Sequence, residues 1–423
     1  MLSFLAFLLL LAAGLPVAFA MIAGAVLQIV LGGNGVLLLS LPQQLYQGME
    51  SYGLLALPIF ILLGELMSAS GAGRRLFALA GLCAGRVSGG LAQATLLANA
   101  LMAAVLGSTV AQITLMSRLA VPEMERAGYP RDAAAALTAA GGLLAPVLPP
   151  SMLLIVFGVI AQVPIGDLFL AGIGPGLAIL AVLSGVTVWQ GRGGRFPAAA
   201  PATGPARRVL AEALPALAIP AAMIAAILTG LATPAEAGVV AIAAVILVGR
   251  LVYRELTLAQ IGPALIATAR SSAGILFLIS AASLYAWVAA WENLPAMAAA
   301  RIAAVSEDPL VFLLLLNLLL LGLGMVTDPL PALILVVPVL LPVATDIYGI
   351  DPIHFGLFAC INLTVGLLTP PVGVGLFTAA LQTGVGAGRL ARLVLPYLAG
   401  VLLVLALLVL WPGLALGPLR FLQ

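Results

Sequence analysis

Two apolar stretches of the chain place paired prolines and glycines where a membrane-spanning helix would otherwise continue. The first is Gly141–Ser151 and the second is Thr369–Gly375. Proline removes a backbone donor and clashes with the preceding turn, and glycine adds backbone freedom. Within a bilayer, an opened backbone is tolerated only where protein buries it or where it lines a cavity. We therefore predict two broken helices, near residues 146–151 and 369–375, each beside a binding site.

The composition shows what surrounds these helices. The chain is 63% hydrophobic and 8% charged, with a mean hydropathy of +1.24. Soluble proteins carry about 25% charged residues, and a spanning helix needs roughly 18 or more apolar residues. We predict an all-α polytopic membrane protein in a lipid bilayer. The net charge of +2 does not indicate a nucleic-acid partner, and a single histidine leaves little material for a catalytic triad or a histidine-based metal site.

Two further apolar stretches are interrupted, at residues 107–109 and at residues 324–329. Each half of the first stretch is about 15 residues long by this interpretation, which is too short to cross about 30 Å with its loops. We therefore predict two re-entrant hairpins with their tips at these positions.

The features recur in the same order. The pairs Pro149-Pro150 and Pro370-Pro371 are separated by about 220 residues, as are Ser108 and Asp328. Five predicted spans separate the two hairpins. Because this number is odd, the second repeat has the opposite orientation in the membrane and is inverted. Inverted repeats with paired interrupted helices are typical of secondary transporters. We divide the chain into an N-terminal repeat (1–190), a cytoplasmic linker (191–208) and a C-terminal inverted repeat (209–423).

The arginines indicate the orientation. On this topology, 14 of the 17 arginines fall on one side, at positions 74, 75, 86, 118, 126, 131, 192, 195, 207, 208, 250, 254, 389 and 392. Arg301 and Arg420 fall on the other side, and Arg270 lies near the first. Because cytoplasmic loops are enriched in basic residues, the first side is predicted to be cytoplasmic.

Interrupted helices offer two kinds of ligand. Free N–H groups at the N-terminus of a half-helix attract anions, whereas unwound carbonyls and hydroxyls coordinate Na⁺. The predicted substrate-binding residues are Ser108, Thr109, Pro150, Ser151, Thr369, Pro370 and Gly373. The predicted Na⁺ ligands are Gly107, Ser108, Pro149, Thr327, Asp328 and Thr369.

Each polar residue also has a structural interpretation. Hydroxyls in membrane helices often bond to their own helix or to a neighbour. An intramembrane acid such as Asp328 suggests function, but it could equally cap the helix that begins at Pro329. Glu65 is either an ion relay or a buried partner of an arginine. We interpret His354 as a solvated or capping residue and Glu236 as a helix cap.

The motifs together resemble the large membrane subunit of tripartite ATP-independent periplasmic (TRAP) transporters. The resemblance runs along almost the whole chain and rests on Leu57–Met67, Gly107-Ser108-Thr109, Met124–Tyr129, Pro149-Pro150-Ser151, Gly172–Gly176, Thr233–Ala237, Asp328–Pro331, Asp351–Gly356 and Thr369–Gly373. Three positions depart from the family pattern. Thr109 replaces a second serine, Gln112 replaces a common acid, and Ala235 replaces a threonine; the first two lie beside the predicted ion site.

The resemblance implies a Na⁺-driven elevator importer of a small carboxylate in the bacterial inner membrane. It also implies a periplasmic solute-binding protein and a separate small four-helix membrane subunit as partners. A stand-alone anion carrier without a binding protein is the alternative. An intramembrane enzyme is disfavoured, because the sequence lacks a clustered nucleophile and base.

Overall fold

A computed structural model describes residues 9–422 except 12, 85–88, 193–195, 197–204, 294–296 and 298–305. Regular structure among these residues is helical throughout, with no strand, which confirms the predicted all-α class. Within the same residues, eight helices are long and apolar enough to cross a membrane. The structure is therefore that of a multi-pass membrane protein.

The described part of the chain from Val17 to Arg192 forms three short 3₁₀-helices and nine α-helices. The α-helices are α1 (Val17–Leu31), α2 (Leu41–Gln47), α3 (Ala56–Ala69), α4 (Ala72–Ala84), α5 (Gly90–Leu106), α6 (Thr109–Arg126), α7 (Arg131–Gly141), α8 (Met152–Ala161) and α9 (Ile165–Arg192). Helix α6 continues through Pro122 to Arg126. Neighbouring helices can satisfy a backbone group that such a proline frees.

Nine more helices follow in the described part of the second half. They are α10 (Ala206–Leu228), α11 (Pro234–Leu247), α12 (Leu258–Trp291), α13 (Pro309–Val326), α14 (Pro329–Pro342), α15 (Pro352–Leu367), α16 (Val374–Thr383), α17 (Ala387–Leu410) and α18 (Gly413–Leu422). Most of the predicted linker, 191–208, lies outside the described residues, as do Arg86, Arg195 and Arg301. The division into repeats and the orientation therefore stay predictions.

Side-chain caps explain where some helices begin. Thr233 and Glu236 form a capping box at the start of α11, with the Thr233 N–H donating to Glu236 Oε2 over 2.9 Å, which confirms the interpretation of Glu236. Asp351 caps α15 by accepting from the N–H of Ile353 over 2.8 Å. The interpretation of His354 is wrong: its side chain is buried, and Nε2 lies 2.9 Å from the carbonyl oxygen of Leu408 on α17.

The core lies around the first parts of the two broken helices. Every residue from Ala133 to Gly141 in α7 is buried, and so is every residue from His354 to Leu367 in α15. Helix α13 approaches α15 closely where Gly324 faces Gly366. A Cβ atom at Gly324 would lie 2.4 Å from the carbonyl oxygen of Leu363 and 3.1 Å from the Gly366 Cα. These two helices thus pack backbone against backbone at this point.

This contact predicts different effects for two alanine substitutions in one helix. Gly324→Ala should destabilise the protein by about 1–3 kcal/mol, because the added methyl group would press on backbone atoms that cannot move individually. Gly322→Ala is the matched control, since a Cβ there meets nothing within 4 Å. The measurement is thermal unfolding of both variants in detergent. Equal melting temperatures for the two would contradict the backbone contact.

Candidate functional site

The break between α5 and α6 closes against the second broken segment of the same half. Gly107 has a φ of +59°, and a Cβ there would lie 2.9 Å from the carbonyl oxygen of Pro150. This left-handed turn, in so little space, requires glycine. The N–H of Met152, the first residue of α8, lies 3.4 Å from the Gly107 carbonyl oxygen. The tip of one interruption therefore contacts the start of the next half-helix.

A corresponding contact occurs in the second half. Helix α13 ends at Val326, and α14 begins after Thr327 and Asp328. The N–H of Gly373, which precedes α16, donates to the carbonyl of Met325 over 3.1 Å. The peptide bonds that precede Pro150 and Pro371 are both cis. In each half, the interrupted apolar stretch is joined by its backbone to the broken helix.

The four half-helices that start at these interruptions differ in their caps. Ser151 Oγ accepts from the N–H of Leu154 over 3.2 Å at the start of α8, and Asp328 Oδ1 accepts from the N–H of Leu330 over 3.1 Å at the start of α14. By contrast, neither Ser108 before α6 nor Gly373 before α16 supplies a side-chain cap. The first-turn N–H groups of α6 and α16 are therefore the ones left for another acceptor.

A small cavity of about 50 Å³ brings the two halves of the chain together. Its lining comprises Gly107, Ser108, Thr109, Val110, Pro146, Met152, Leu153, Asp328, Pro329, Leu330, Thr364 and Leu367. The residues around both interruptions, Ser108 and Asp328 among them, thus share one space. Residues of both broken helices complete its wall.

A larger cavity of about 700 Å³ adjoins this space. Ser108, Met152, Asp328 and Leu330 line both cavities. The larger one extends between α3, α6 and α12, where its polar lining residues are Glu65, Ser68, Thr114, Arg118, Arg270 and Ser271. Glu65 is exposed and forms no ion pair with any described residue, so the alternative of a buried arginine partner is wrong.

The structure separates the predicted site residues into two groups. Four of them, Gly107, Ser108, Thr109 and Asp328, line the small cavity. Seven line neither cavity: Pro149, Pro150, Ser151, Thr327, Thr369, Pro370 and Gly373. Within that second group, Ser151 is fully buried and its hydroxyl donates to the Pro146 carbonyl over 2.6 Å.

The two threonines of the second group keep acceptor capacity. The Thr327 hydroxyl donates to the Leu323 carbonyl over 2.9 Å, and the Thr369 hydroxyl donates to the Val365 carbonyl over 2.7 Å. A hydroxyl that donates its proton in this way retains oxygen lone pairs that can still accept a hydrogen bond or bind a cation. Asp328 caps α14, as one of its two sequence interpretations predicted, and it also lines both cavities. Its functional role stays a prediction.

One polar contact near the site was not expected from the sequence. The Gln112 Nε2 atom lies 2.9 Å from the Asn99 carbonyl oxygen and 3.2 Å from the Gly141 carbonyl oxygen, so this side chain ties α5, α6 and α7 together. Only a donor can bridge two carbonyls, which gives an amide a use here that a carboxylate would lack. Asn362 makes a similar link to Asn317 Oδ1 over 2.8 Å. Isolated amide residues inside apolar helices were the available signal.

The described residues contain no group of three or more histidine, cysteine, aspartate or glutamate side chains that could hold a metal ion. Interrupted membrane helices that meet at a polar cavity are typical of membrane transporters. The fold is similar to that of the YdaH transporter of Alcanivorax borkumensis, with a TM-score of 0.65 at 18% identity over 90% of this chain and 89% of the other. The sequence profile of the DctM component of tripartite ATP-independent periplasmic transporters matches residues 4–414, and the chain belongs to this family.

Curated relatives match over nearly the full length. The sialic acid TRAP transporter large permease protein SiaM of Vibrio cholerae is 36% identical, covering 95% of this chain and 94% of the relative. The 2,3-diketo-L-gulonate TRAP transporter large permease protein YiaN of Escherichia coli is 35% identical, covering 97% of each. The C4-dicarboxylate TRAP transporter large permease protein DctM of Pseudomonas aeruginosa is 34% identical, covering 89% and 88%.

The different caps predict that two serines at the site have separate roles. Ser151→Ala should lower the free energy of unfolding by about 1 kcal/mol, because it removes a buried helix cap. Ser108→Ala should leave it within about 0.5 kcal/mol, because the Ser108 hydroxyl caps nothing. Thermal unfolding of both variants in detergent without Na⁺ makes the comparison. A larger loss for Ser108→Ala than for Ser151→Ala would contradict the assignment.

Proposed function

We propose that this large permease subunit imports a small organic anion together with Na⁺, and that its cargo arrives on a periplasmic binding protein. The observation that carries the proposal is the shared cavity at Ser108 and Asp328, where residues around two interruptions from distant parts of the chain meet. The family supplies the context, since the chain belongs to the DctM component of TRAP transporters. The bacterial inner membrane is the location that this family implies.

The oxygen atoms around the two interruptions suit Na⁺ as the coupling ion. We propose Gly107, Ser108, Pro149, Thr327, Asp328 and Thr369 as its ligands, in two groups. The first group surrounds the Gly107 turn. Backbone carbonyls lie beside the cavity there, together with the Ser108 hydroxyl, which makes no capping hydrogen bond. The second surrounds Thr369, whose oxygen retains lone pairs. Backbone carbonyls, hydroxyls and carboxylates are the ligands that hard cations prefer.

The anion is proposed to bind at the uncapped helix N-termini. Ser108 and Thr109 at the start of α6 line the cavity directly, so their side chains and first-turn N–H groups are the primary contacts. Gly373 directly precedes α16, the other terminus without a side-chain cap, and Thr369 lies in the segment between α15 and α16. We propose that Pro150, Ser151 and Pro370 act through the backbone they hold rather than by contact with the cargo.

Paired contacts in the two halves support an inverted repeat. The Met152–Gly107 and Gly373–Met325 backbone contacts link each interruption to its broken helix in the same order along the chain. We propose repeats at residues 1–190 and 209–423, with re-entrant hairpins at 107–109 and 324–329. In an elevator mechanism, these segments would move together as one body against the remaining helices, because their backbones are joined.

The relatives indicate a class of cargo and partners. Sialic acid, 2,3-diketo-L-gulonate and C4-dicarboxylates, the compounds in the names of three relatives, are all organic acids. We propose a small carboxylate for this chain, together with a separate small four-helix membrane subunit and a periplasmic solute-binding protein. A stand-alone ion-coupled anion carrier is the second candidate function, and uptake without the binding protein would favour it.

Uptake into proteoliposomes tests the proposal. The chain and its small subunit are reconstituted together, the binding protein is added with a labelled organic acid, and the Na⁺ gradient is varied. We expect uptake only when both the gradient and the binding protein are present. Uptake that needs no binding protein would establish the stand-alone carrier. Uptake that is indifferent to Na⁺ would overturn the coupling ion.

Ser108→Ala should raise the Na⁺ concentration that gives half-maximal uptake by about tenfold, since one ligand to a transported ion is worth about 1.4 kcal/mol or more. The control is Ser68→Ala, which removes a hydroxyl from the wall of the larger cavity away from the interruptions. The measurement is the initial rate of uptake against Na⁺ concentration. A shift of equal size in both variants would argue against Ser108 as a ligand.

Asp328→Asn should reduce uptake by about tenfold or more with little change in melting temperature, because asparagine retains the cap but removes the charge. Asp308→Asn is a close control. Asp308 also precedes a proline and caps its helix, with Oδ1 accepting from the N–H of Leu310 over 2.8 Å, but it lines neither cavity. Uptake and thermal unfolding are measured for both variants, which separates an effect on transport from an effect on stability. Normal uptake by Asp328→Asn would leave Asp328 as a cap alone.

A further inference from the structure

Two arginines line the larger cavity and have no part in the site proposed above. Arg118 lies on α6 and Arg270 on α12, and both side chains are exposed. Neither forms an ion pair with a described residue, although Glu65 and Asp328 line the same cavity. Arg118 Nε donates to Gln382 Oε1 over 3.0 Å, which leaves its two terminal nitrogen atoms for another acceptor.

The charge of Arg270 is energetically costly inside a membrane unless the cavity keeps it in contact with water. It lies inside α12, a candidate span of 34 residues. Such a helix is about 51 Å long, against a hydrocarbon core of about 30 Å, so a centred helix extends about 10 Å beyond the core at each end. Arg270 is about 18 Å from the start of α12, hence about 8 Å inside the core. Unpaired charges at that depth face a water-filled cavity and mark ion or substrate pathways.

The arginines occupy a different part of the cavity from the site at the interruptions. Ser108 and Asp328 also line the small cavity, so they mark the end of the larger cavity that adjoins it. Arg118 follows Ser108 along α6 at a distance of about 15 Å. Along α12, Arg270, Gly274 and Leu278 repeat at helical spacing and face the cavity together. A cargo held at Ser108 and one held at the arginines would therefore occupy separate positions.

Of the groups that line this cavity, the two guanidinium groups are the best suited to bind a carboxylate. A guanidinium is planar, always charged and able to donate two parallel hydrogen bonds to one carboxylate. A cavity of about 700 Å³ has the size of a site for a small organic molecule. The Glu65 carboxylate lines the wall near Ser68 on α3, so the positive charge is confined to the α6 and α12 sides.

We propose that Arg118 and Arg270 form a second anion site, which holds the carboxylate of the cargo after it leaves the Ser108 end of the cavity. The inference rests on the proposed function only in taking an organic anion as the cargo. The site concentrates anions in the cavity. It also gives the cargo a second binding position between the ion-coupled site and bulk water.

A thiol introduced into the cavity can report its charge. Gly274 lines the cavity one helical turn from Arg270, and a Cβ there meets nothing within 4 Å, so Gly274→Cys should be tolerated. Cys83 is exposed and is changed to serine, whereas Cys360 is buried and is kept. The rates of reaction with an anionic and a cationic methanethiosulfonate reagent are then compared. Because both react with the same thiolate, their ratio does not depend on the thiolate fraction.

We expect the anionic reagent to be favoured, and Arg270→Gln or Arg118→Gln to lower the anionic-to-cationic ratio by roughly fivefold. Arg250→Gln is the control for loss of a positive charge, since Arg250 is exposed and lines neither cavity. Ser283→Cys, in a separate pocket of about 360 Å³, is the control reporter and should not respond to Arg270→Gln. A ratio in the Gly274→Cys reporter that neither arginine substitution changes would overturn the proposal.

Protection experiments identify the ligand chemistry. C4-dicarboxylates, a sugar acid and inorganic phosphate are each added at equal ionic strength before the reagents. Carboxylates should protect the thiol of the Gly274→Cys reporter, and loss of this protection in the Arg118→Gln, Arg270→Gln double variant supports a carboxylate site. Protection by phosphate alone, or protection that survives in the double variant, contradicts it. The reaction needs neither a Na⁺ gradient nor the partner proteins, so a failure of coupled uptake would leave this result unaffected.

Discussion

The structure depends on the need to satisfy an opened backbone inside an apolar protein. Helices are interrupted at two places in each half of the chain. In each half, an N–H group at one interruption meets a backbone carbonyl at the other. The N–H of Met152 is directed at the Gly107 carbonyl, and the N–H of Gly373 donates to the Met325 carbonyl. The surrounding helices α7 and α15 are buried over almost all of their length, which keeps water away from these exchanges. The N-terminus of α6 is left without a side-chain cap, and its residues Thr109 and Val110 line the small cavity.

This constraint separates residues that hold the site from residues that can act in it. Ser151 and Asp328 both cap helices, yet only Asp328 also lines a cavity. Ser108 holds the capping position of α6 without a capping bond, so its hydroxyl and the first-turn N–H groups are free for a ligand. Two serines that look equivalent in the sequence therefore differ in the structure, since one caps its helix and the other does not. The side-chain hydrogen bonds decide between the two.

The sequence predicted the class of the fold and the positions of the helix breaks, because proline, glycine and apolar length act locally along the chain. The sequence could not show which of the proposed site residues line the same cavity. This grouping depends on how helices from distant parts of the chain pack together. His354 shows the limit: its carbonyl partner lies on α17, and nothing near it in the sequence indicates burial. Gln112 was recognised only as a departure from the family pattern, whereas its contacts with Asn99 and Gly141 show an amide that joins three helices.

The charges that line the small cavity give a physical reason for the proposed coupling of a cation to an anion. The small cavity is lined by one acid, Asp328, and by no arginine. A carboxylate that entered beside an ionised Asp328 would place two negative charges together at low dielectric, where an unpaired charge costs several kcal/mol. A cation bound first removes this penalty, and the anion in turn strengthens cation binding, because coupling between two ligands is reciprocal. On this argument, the anion is stable in the small cavity only when a cation is bound beside Asp328.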